Sequence, residues 1–556
     1  MSTFRVCFCF RRRFKIREAE PPQDIIDLFN QYSENGTMGI DHLHRFLLEF
    51  QREKNATKEN AEAIFHSLKH LNVFHRKGGL HLNAFFRYLL SDHNPPIPPS
   101  PQVHHDMNAP LAHYYLYTGH NSYLTGNQLS SDCSSEPIKK ALAKGVRVIE
   151  LDLWPNATGD KVEVCHGGTL TTPVGLMKCL HATKDYAFVI SDYPVVITFE
   201  DHLTPALQAK VAKMVSKTFG EMLHLPESES LAEFPSPESL KKKIMISTKP
   251  PKEYLETQDS MEETTQQQEE AEEGEAEPNE DGVKAPEYKK LIAIHAGKPK
   301  GGVQSWLRTD LNKVRRLSLS EQELEAISRS HGTEIVRFTQ KNLLRIYPKG
   351  ARFDSSNYNP LLGWMHGAQM VALNMQGYGK YLWIMQGMFR ANGGCGYIKK
   401  PDFLLNRSEI FNPGANLPVK KTLKVKLYMG DGWHLDFPHT HFDLYSPPDF
   451  FTKVGIVGVP ADTTTKRSRA IEDDWVPVWN EEFHFSLTVP ELAVLRIEVQ
   501  EYDTSGKHDF GGQTCLPVSE LREGIRAVSL FSRKGNRYKS VKLLMHFEFF
   551  DFDASM

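Results

Sequence analysis

Polar side chains that could do chemistry stand at the ends of successive apolar stretches in the first half of the chain. They are His120, Asn121, Glu150, Asp152, His166, Glu200 and Lys249. Glu150 and Asp152 are two residues apart, so they lie on one face of a strand. Three carboxylates brought together repel each other unless a hard cation lies among them, and Asn121 could add a side-chain oxygen. We predict a calcium site, with ion pairs to Arg147 or Lys144 as the alternative.

Two histidines, His120 and His166, accompany these carboxylates. Beside a metal, one imidazole can stabilise charge on phosphorus while the other gives a proton to a departing alkoxide. A single histidine is more often structural, whereas a pair beside acids indicates catalysis. The set therefore predicts phosphodiester chemistry.

The elements that must position these residues alternate between strand-like and helix-like stretches, which is typical of parallel α/β structure. The alternation covers residues 104–249 and resumes over 286–403. Together the two blocks are about as long as one eight-stranded α/β barrel of the TIM type, which takes about 250 residues. Functional side chains of such a barrel lie where its strands end. In the first block we predict the strands HYYLYTG, VRVIELDLW, KVEVCH, YPVVITFE and KIMIST.

A strongly acidic segment, residues 256–285, separates the two blocks. Between Glu256 and Asp281 there are twelve acidic residues and no basic one. Such a segment cannot bury enough apolar surface to fold, so we predict that it is disordered. Two hypotheses stay open for it: a solubilising linker, or an electrostatic lid that anionic lipid repels.

Two flanking regions have other periodicities. Residues 21–95 show helical spacing of apolar residues, and residues 404–550 alternate with period two in segments such as TLKVKLYM and EEFHFSLTV. We predict an N-terminal helical lobe and a C-terminal antiparallel β-sandwich. In the lobe, SENGTMGIDHLH is similar to a decayed EF-hand loop, because Ser33, Thr37 and His44 stand where acidic ligands belong. We expect this EF-hand-like lobe to be structural.

Composition limits the partners and the compartment. A formal net charge of −3 argues against wholesale nucleic-acid binding. The seven cysteines show no CxxC spacing and fit reduced thiols in the cytoplasm. No run of about 18 apolar residues occurs, so membrane contact should be peripheral. Residues 1–20 form a basic segment in which acylation of Cys7 or Cys9 stays open.

Longer motifs carry a family resemblance. The stretches TGHNSYLTGNQL, GVRVIELDLW, CHGGTLTT and YPVVITFEDHL resemble the X region of phosphoinositide-specific phospholipase C, and LLRIYPKGARFDSSNYNP with NGGCGYIKKP resembles its Y region. The domain order is similar to that of the plant-type members. The resemblance implies a monomeric enzyme of lipid signalling. It would hydrolyse phosphatidylinositol 4,5-bisphosphate and related lipids to diacylglycerol and inositol phosphate at the cytoplasmic face of the plasma membrane.

The resemblance also implies catalytic roles at the matching positions. His120 would stabilise the pentacovalent phosphoryl transition state, and His166 would protonate the diacylglycerol leaving group. The catalytic calcium would be held by Asn121, Glu150, Asp152 and Glu200. Glu150 or another of these acids would be the general base for the inositol 2-hydroxyl. The cyclic phosphodiester so formed would then be opened by water.

Four further residues match the family's substrate-binding positions. Lys249, Ser318 and Arg345 would bind the ring 4- and 5-phosphates, and Tyr347 would pack on the ring face. One departure concerns specificity, because Ser247 stands where animal members have a second lysine. The preference among mono- and bisphosphorylated lipids is therefore open.

The C-terminal sandwich resembles a C2 module. Asp443 and Asp449 lie in one loop, and Glu501, Asp503 and Asp509 follow the calcium-binding C2 spacing in another. Glu501 stands where this pattern usually has aspartate. Clustered carboxylates repel each other unless calcium bridges them, and the bridge would also accept lipid phosphate. We predict calcium-dependent docking on anionic membranes.

Alternatives stay open at three points. The chain could be a catalytically silent scaffold that binds calcium and phosphoinositides. A glycerophosphodiester phosphodiesterase would also fit a barrel with histidines and acids, but it would not explain the split barrel, RIYPKG or the sandwich. In the sandwich, Trp433, His434 and Phe437 could insert into the membrane interface or pack in the core.

Overall fold

The computed structural model describes residues 2–5, 11–14, 16–68, 79–98, 102–228, 230–251, 285–310, 312–443, 445–504 and 506–551. They form two compact units. One comprises Met1–Ser100, Gln386–Met388 and Asn416–Met556, and the other comprises Pro101–Met385 and Phe389–Ala415. In the described part, each helix is too short or too polar to cross a membrane. The predicted disorder of residues 256–285, apart from Ala285, and the possible acylation of Cys7 and Cys9 lie outside the described residues.

Eight parallel strands in the described part of the second unit form a closed barrel. In chain order they are β1 (Thr118–Gly119), β2 (Val148–Pro155), β3 (Val195–Asp201), β4 (Ile244–Thr248), β5 (Ile292–His295), β6 (Arg316–Ser320), β7 (Leu343–Tyr347) and β8 (Met370–Leu373). Consecutive strands pair in parallel, and β8 pairs with β1. A parallel bridge between Ala296 and Arg316 joins β5 to β6 and closes the circle. The predicted α/β barrel is confirmed.

The burial of the barrel strands explains their apolar sequences. Residues in β2 and β3 are buried along most of each strand, as expected when helices cover the outside of a parallel sheet. Exposure begins only at the carboxyl ends, for example at Glu200 in β3. Polar residues are therefore concentrated at that end of the barrel.

Helices connect the strands. Those of the second unit span Glu136–Ala143, Leu176–Tyr186, Pro205–Phe219, Pro286–Lys290, Val303–Leu307, Glu321–Thr339, Leu361–Met365 and Asp402–Leu405. A further helix, Lys380–Met388, has its last three residues in the first unit. The helix after β6 shows how sequence sets a boundary. Ser320 accepts the backbone N–H of Glu323 at 3.1 Å, and the Glu323 carboxylate accepts the backbone N–H of Ser320 at 2.8 Å. This reciprocal capping ends the strand two residues after Ser318.

Two segments that we predicted as barrel strands, HYYLYTG and KVEVCH, form antiparallel pairs over part or all of their length. In HYYLYTG, Tyr114–Leu116 pairs antiparallel with Tyr397–Lys399, and only Thr118–Gly119 enters the barrel. In KVEVCH, Val162–Val164 pairs antiparallel with β2 and with Val174–Gly175. Here Asn156 caps a tight turn by accepting the N–H groups of Asp160 and Lys161, so the chain folds back on β2. The third barrel strand is instead VVITFED.

The first unit contains the helical lobe and the sandwich. The lobe has helices Gln23–Tyr32, Ile40–Glu49, Lys58–Ser67 and Leu82–Leu89, and a two-stranded hairpin, Ser2–Arg5 with Arg11–Phe14, precedes it in the chain. The sandwich has strands β9 (Lys421–Asp431), β10 (Phe450–Val457), β11 (Thr464–Arg467), β12 (Val478–Leu487), β13 (Val494–Glu501), β14 (Phe510–Pro517), β15 (Gly524–Phe531) and β16 (Arg537–Asp551). Their order is β11-β10-β13-β14-β15-β16-β9-β12, and all pairs are antiparallel. The predicted sandwich is confirmed.

Within this unit, the lobe packs on the sandwich through a buried polar contact. The Gln51 side chain donates to the backbone oxygen of Ile525 at 2.8 Å and accepts its N–H at 2.6 Å, as a neighbouring strand would. The fully buried Arg526 guanidinium binds Glu53 at 2.7 Å and the Asn94 side-chain oxygen at 3.0 Å. Ile525 also belongs to the apolar core of the lobe. Sandwich residues therefore contribute to the apolar core of the lobe.

We expect Arg526→Met to lower the free energy of unfolding by about 3 kcal/mol, because Glu53 and Asn94 lose a buried partner. Urea denaturation of the full chain would measure this. Arg537→Met is the matched control, since Arg537 joins the same lobe and sandwich through Asp92, with 47% of the Arg537 side chain exposed. A surface pair should contribute less than about 1 kcal/mol. Equal losses in both variants would contradict the prediction.

Candidate active site

The carboxyl ends of the barrel strands meet at one mouth, where most of the predicted functional residues gather. His120 follows β1, Glu150 and Asp152 lie on β2, and Glu200 lies near the end of β3. A cavity of about 230 Å³ opens at this mouth. Its lining comprises His120, Asn121, Gln128, Asp152, Trp154, His166, Gly167, Glu200, His202, Tyr347, Pro348, Lys349, Gly350, Arg352 and Asn374.

Glu150, Asp152 and Glu200 each place one carboxylate oxygen within 4.8 Å of the other two. Tyr123 donates a hydrogen bond to one Asp152 oxygen at 2.7 Å, whereas the other is buried without a hydrogen-bond partner among the described residues. Burial and the charges of Glu150 and Glu200 raise the pKa of Asp152 well above its usual range. A divalent cation would relieve this repulsion by supplying positive charge.

Arg345 on β7 donates a hydrogen bond to Glu150, and both side chains are buried. The other Glu150 oxygen accepts the backbone N–H of Asn121 at 3.1 Å. Burial alone would raise the pKa of Glu150, but the charges of Arg345 and His120 outweigh it and lower the pKa. Glu150 is thus held as a carboxylate by a residue that the resemblance had assigned to a ring phosphate.

Asn121, the fourth predicted calcium ligand, has a φ of 40°, in the left-handed region that asparagine tolerates better than most residues. This conformation directs its backbone N–H to Glu150. Its side-chain Nδ2 donates to Gln128 Oε1 at 2.9 Å. The side-chain oxygen of Asn121 is then the atom that could serve a cation.

Both predicted catalytic histidines line the cavity, and each ring is anchored through Nδ1. His120 Nδ1 lies 3.0 Å from Asn374 Oδ1, and His166 Nδ1 lies 2.7 Å from the backbone oxygen of Gln128. His120 Nε2 is 3.9 Å from a Glu150 oxygen. Burial lowers the pKa of His120, and the charge of Glu150 opposes this shift.

The four predicted substrate-binding residues occupy neighbouring strand ends. Arg345 and Tyr347 are two apart on β7, and the Arg345 guanidinium carbon lies 5.5 Å from the centre of the Tyr347 ring. Ser318 is half-buried on β6, directly opposite Arg345 in the strand register, and Lys249 is exposed just after β4. The cavity lining includes Tyr347 but not Lys249, Ser318 or Arg345, all of which the structure describes.

Comparison with known proteins identifies the chain. Sequence models match the X domain of phosphatidylinositol-specific phospholipase C at residues 107–250, its Y domain at 298–403, a C2 domain at 421–532 and the efhand-like region of phosphoinositide-specific phospholipase C at 20–95. Phosphoinositide phospholipase C 2 of Arabidopsis thaliana is 60% identical, with 99% of each chain covered. The chain belongs to the phosphoinositide phospholipase C family.

More distant relatives also match most of the chain. Human 1-phosphatidylinositol 4,5-bisphosphate phosphodiesterase delta-1 is 32% identical, over 92% of this chain and 69% of the human protein. The crystal structure of L. pealei PLC21 covers 96% of this chain and 69% of its own, with a TM-score of 0.77 at 26% identity. As a phosphoinositide phospholipase C, the enzyme hydrolyses phosphoinositides. The predicted family, activity and plant-type relationship are confirmed.

Ser247, which stands where animal members have a second lysine, lies outside the lining of the cavity. Ser247 is fully buried in β4, and its hydroxyl donates to the backbone oxygen of Ile294 at 3.1 Å. It is committed to the barrel wall and offers no side-chain cation to a phosphoinositide.

Sequence reasoning missed several residues of this phospholipase C site. His202 stacks on Trp154 with ring centres 3.8 Å apart, and its Nε2 lies 3.2 Å from a Glu200 oxygen. Gly167 also packs against the Trp154 ring, where an added Cβ would lie 2.0 Å from a ring carbon. His202 stood in the same FEDHL motif as Glu200 and could have been found. Gln128 and Trp154 likewise stood in the quoted motifs TGHNSYLTGNQL and GVRVIELDLW, whereas Asn374 had no such signal.

The carboxylates of the C2 domain lie in neighbouring loops. Glu501 donates its backbone N–H to Asp509 at 2.8 Å, and Tyr502 donates to the backbone oxygen of Asp449 at 2.7 Å. Burial and the charges of Asp509, Asp443, Asp449 and Asp503 raise the pKa of Glu501 to about 7. In the described residues, however, these oxygens do not converge within 4.8 Å of one another as those of the barrel do.

A third C2 loop, which the sequence prediction did not include, adds two acids. Asp473 donates its backbone N–H to an Asp449 oxygen at 2.8 Å. Burial and the charges of Asp473, Glu472 and Asp443 raise the pKa of Asp449. The acidic surface therefore has contributions from three loops.

The aromatic cluster near these loops belongs to the core. Trp433 is fully buried, donates to the backbone oxygen of Gly511 at 2.8 Å and stacks on Phe450. Phe437 packs against the same core. Membrane insertion of Trp433 is therefore the wrong alternative. Leu435, which lies between them in sequence, is 68% exposed.

Proposed function

We propose that the enzyme hydrolyses phosphatidylinositol 4,5-bisphosphate and related phosphoinositides in a calcium-dependent reaction, at the cytoplasmic face of the plasma membrane. The products would be diacylglycerol and inositol phosphate. One observation carries this proposal: a cluster of three carboxylates shares a single mouth with two anchored histidines. The human relative is named for the bisphosphorylated lipid, which supports that substrate.

The donor set fits calcium. Glu150, Asp152 and Glu200 supply carboxylate oxygens, the ligands that calcium prefers, and Asn121 can add an amide oxygen. The Asp152 oxygen that is buried without a partner in the described part of the chain could accept a cation. When bound, calcium would supply positive charge to the phosphate oxygens and the inositol 2-hydroxyl.

The side chains would then move protons. Glu150, which Arg345 and Asn121 hold ionised, would accept the proton of the 2-hydroxyl as its oxygen bonds to phosphorus. His166 would give its Nε2 proton to the diacylglycerol oxygen as the bond from that oxygen to phosphorus breaks. His120, 3.9 Å from Glu150, would stabilise the negatively charged phosphoryl group when its ring is protonated. Water would open the cyclic product with the proton transfers reversed.

The remaining predicted residues would hold the inositol ring. Lys249, Ser318 and Arg345 carry the donors that bind the ring phosphates, and Tyr347 covers the ring face from the cavity wall. The Ser247 hydroxyl is hydrogen-bonded within the barrel wall. The phosphate-binding residues of this chain therefore include one cation fewer than those of the animal members, which have a second lysine at this position.

The test is release of inositol phosphate from labelled vesicles by the full chain, with and without a calcium chelator. We expect release that stops in chelator and returns with calcium. Release that continues unchanged in chelator would refute the calcium dependence, and absence of release at every calcium concentration would favour the silent scaffold.

The mouth of the barrel is bordered by apolar side chains suited to a membrane surface. Leu129, Leu170 and Phe353 are 44%, 86% and 52% exposed, and each follows a cavity-lining residue by at most three positions. Leu170 donates its backbone N–H to Leu129, which brings two of the three together. We call these three residues the apolar rim. Its exposure supports peripheral contact between the mouth and lipid.

We expect replacement of all three rim residues by serine to lower vesicle hydrolysis at least tenfold, because each inserted apolar side chain contributes about 1.5 kcal/mol or more. Hydrolysis of a soluble glycerophosphoinositol should stay unchanged. The control is Val189→Ser with Ile190→Ser, since these residues are 61% and 53% exposed in a loop that leads into the amino end of β3. Equal loss on both substrates would refute insertion of the rim.

For the C2 loops we propose calcium-dependent docking on anionic lipid through Asp443, Asp449, Glu501, Asp503 and Asp509. Burial and the repulsion from neighbouring carboxylates, which together raise the pKa of Glu501 to about 7, support a site that gains from calcium. We expect Glu501→Gln with Asp449→Asn to abolish calcium-dependent sedimentation with phosphatidylserine vesicles. The same variant should melt about 2 °C higher in chelator, because repulsion is removed. Asp551→Asn, at the end of β16, should change neither; if it matches the double variant, docking does not depend on these loops.

A further inference from the structure

One residue, Gln128, takes part in the hydrogen bonds that hold both histidines. Its backbone oxygen accepts a hydrogen bond from His166 Nδ1, 2.7 Å away. Its side-chain Nε2 donates to Asn374 Oδ1 at 3.0 Å, and the same oxygen lies 3.0 Å from His120 Nδ1. Gln128 is 5% exposed, so these bonds are made away from solvent.

The Ser355 hydroxyl, at the outer end of this hydrogen-bond network, determines which atom donates and which accepts in the other bonds. The Ser355 hydroxyl donates to the backbone oxygen of Gly126 at 2.8 Å, so towards Gln128 it can only accept. Gln128 Nε2 lies 2.9 Å from this hydroxyl and must be the donor. Gln128 Oε1 then accepts Asn121 Nδ2 at 2.9 Å. The amide orientation of Gln128 is therefore determined by its neighbours.

The second Nε2 hydrogen of Gln128 determines the orientation of Asn374. It requires an acceptor, so the atom of Asn374 that faces it is Oδ1. Asn374 Nδ2 points towards the backbone oxygen of Ser356, 3.4 Å away, which agrees with this orientation. His120 Nδ1 consequently faces an acceptor and must carry the hydrogen.

Both histidines therefore have the same tautomer, because His166 Nδ1 also faces an acceptor, the Gln128 backbone oxygen. A ring with its hydrogen on Nδ1 leaves Nε2 for chemistry. Nε2 can accept a proton when the ring is neutral and donate one when the ring is charged. The proposed roles of His120 and His166 both need this atom.

We propose that Gln128 is a positioning residue that sets the tautomer and orientation of both histidines, through Asn374 for His120 and through its own backbone for His166. The inference rests on the proposed catalytic roles of these histidines. Groups that support a catalytic or metal-bound histidine commonly change activity 10- to 100-fold when removed. Gln128 and Asn374 would belong to this class.

A purely structural role is the competing explanation, because Gln128 also anchors its loop by donating its backbone N–H to Phe353 at 2.8 Å. Gln376 provides a matched control. It is the same residue type, and its Nε2 donates to Ser355 at 3.2 Å and to Gly126 at 3.1 Å. In the described part of the chain, its hydrogen bonds do not reach Asn374 or a histidine.

The first test compares Gln128→Met with Gln376→Met in the full chain on phosphoinositide micelles. We expect kcat to fall between about 10- and 100-fold in Gln128→Met with KM changed less than about threefold, and to fall less than about threefold in Gln376→Met. Equal losses in the two variants, or a loss carried by KM, would overturn the inference. Thermal melting would confirm that both variants are folded.

A second pair of variants keeps the inference testable if Gln128→Met does not fold. Asn374→Asp retains an acceptor for His120 and for Gln128, whereas Asn374→Leu does not. We expect Asn374→Asp to keep kcat within about tenfold of the unchanged enzyme and Asn374→Leu to lose about 10- to 100-fold. Indistinguishable kcat values for these two variants would overturn the inference.

The tautomer can also be observed directly. In protein labelled with [15N]histidine, the His120 signals are those absent from His120→Ala. We expect their shifts to report hydrogen on Nδ1 in the unchanged enzyme and in Gln376→Met, and mixed tautomers in Asn374→Leu. Unchanged shifts in Asn374→Leu would overturn the inference. If His120→Ala itself keeps full activity, the proposed function fails instead, so the two failures are distinct.

Discussion

Replacement of His166 by alanine is expected to lower kcat about 1,000-fold, because a positioned proton donor contributes about 100- to 10,000-fold in such reactions. His120→Ala should cause a loss of similar size by removing charge stabilisation at phosphorus. Both histidines line the cavity, and both are anchored on Nδ1, so each variant removes an Nε2 that faces the substrate side. Initial rates on phosphoinositide micelles at saturating calcium would measure both losses.

The leaving group separates the two histidine roles. A substrate whose leaving group needs no proton, such as a p-nitrophenyl inositol phosphate, should restore most of the rate to His166→Ala. The same substrate should not restore His120→Ala, because that variant lacks the group that acts at phosphorus. His331→Ala, at a half-buried position of the Glu321–Thr339 helix and outside the cavity lining, is the control and should keep full activity. Restoration of both variants, or of neither, would show that the roles are assigned wrongly.

Asp152→Asn is expected to weaken calcium binding at the barrel at least 100-fold and to lower activity correspondingly, because the central carboxylate of the cluster loses its charge. Titration calorimetry would measure the affinity. The measurement should use a chain that also carries Asp449→Asn and Glu501→Gln, so that the C2 loops do not contribute. Calcium affinity that is unchanged by Asp152→Asn would place the metal elsewhere.

The same variant should make the calcium-free enzyme more stable at neutral pH. Burial and the charges of Glu150 and Glu200 raise the pKa of Asp152 in the folded state above its value in the unfolded chain. Folding therefore favours the protonated form of Asp152. The resulting contribution to the free energy of unfolding is fully present below the pKa that Asp152 has in the unfolded chain, and it is lost as the pH rises through the pKa that Asp152 has in the folded state. Melting in chelator between pH 4 and pH 8 should show this loss in the unchanged enzyme but not in Asp152→Asn. The exposed Asp185→Asn should behave like the unchanged enzyme.

Much of the candidate site could be predicted because its signals are local. Glu150 and Asp152 share a strand face by their spacing alone, and an apolar run that ends in a polar residue indicates the mouth of a barrel. Motif matches then assigned roles to Ser318, Arg345 and Tyr347. Their roles stay predictions, whereas their placement on β6 and β7 is now known.

Other features could not be predicted, because they depend on pairs of residues far apart in the chain. The bond between Gln128 and Asn374 joins residues 246 positions apart, and that between Gln51 and Ile525 joins residues 474 apart. A single glutamine has no pattern that reveals its partner. The direction in which two strands pair is equally hard to predict from sequence. The sequence of Val162–Val164 is typical of a barrel strand, but the strand pairs antiparallel with its neighbour.

The sequence by itself determined the order of the domains, the barrel, the sandwich and the residue types that could bind calcium and move protons, because periodicity and motif spacing are properties of short segments. Only the tertiary structure decided which atoms of those residues face one another. It paired Arg345 with Glu150 and left one Asp152 oxygen without a hydrogen-bond partner among the described residues. It also placed an acceptor at Nδ1 of each histidine. Hydrogen-bond direction and charge depend on distances of a few ångströms between distant segments, and those distances exist only once the chain is folded.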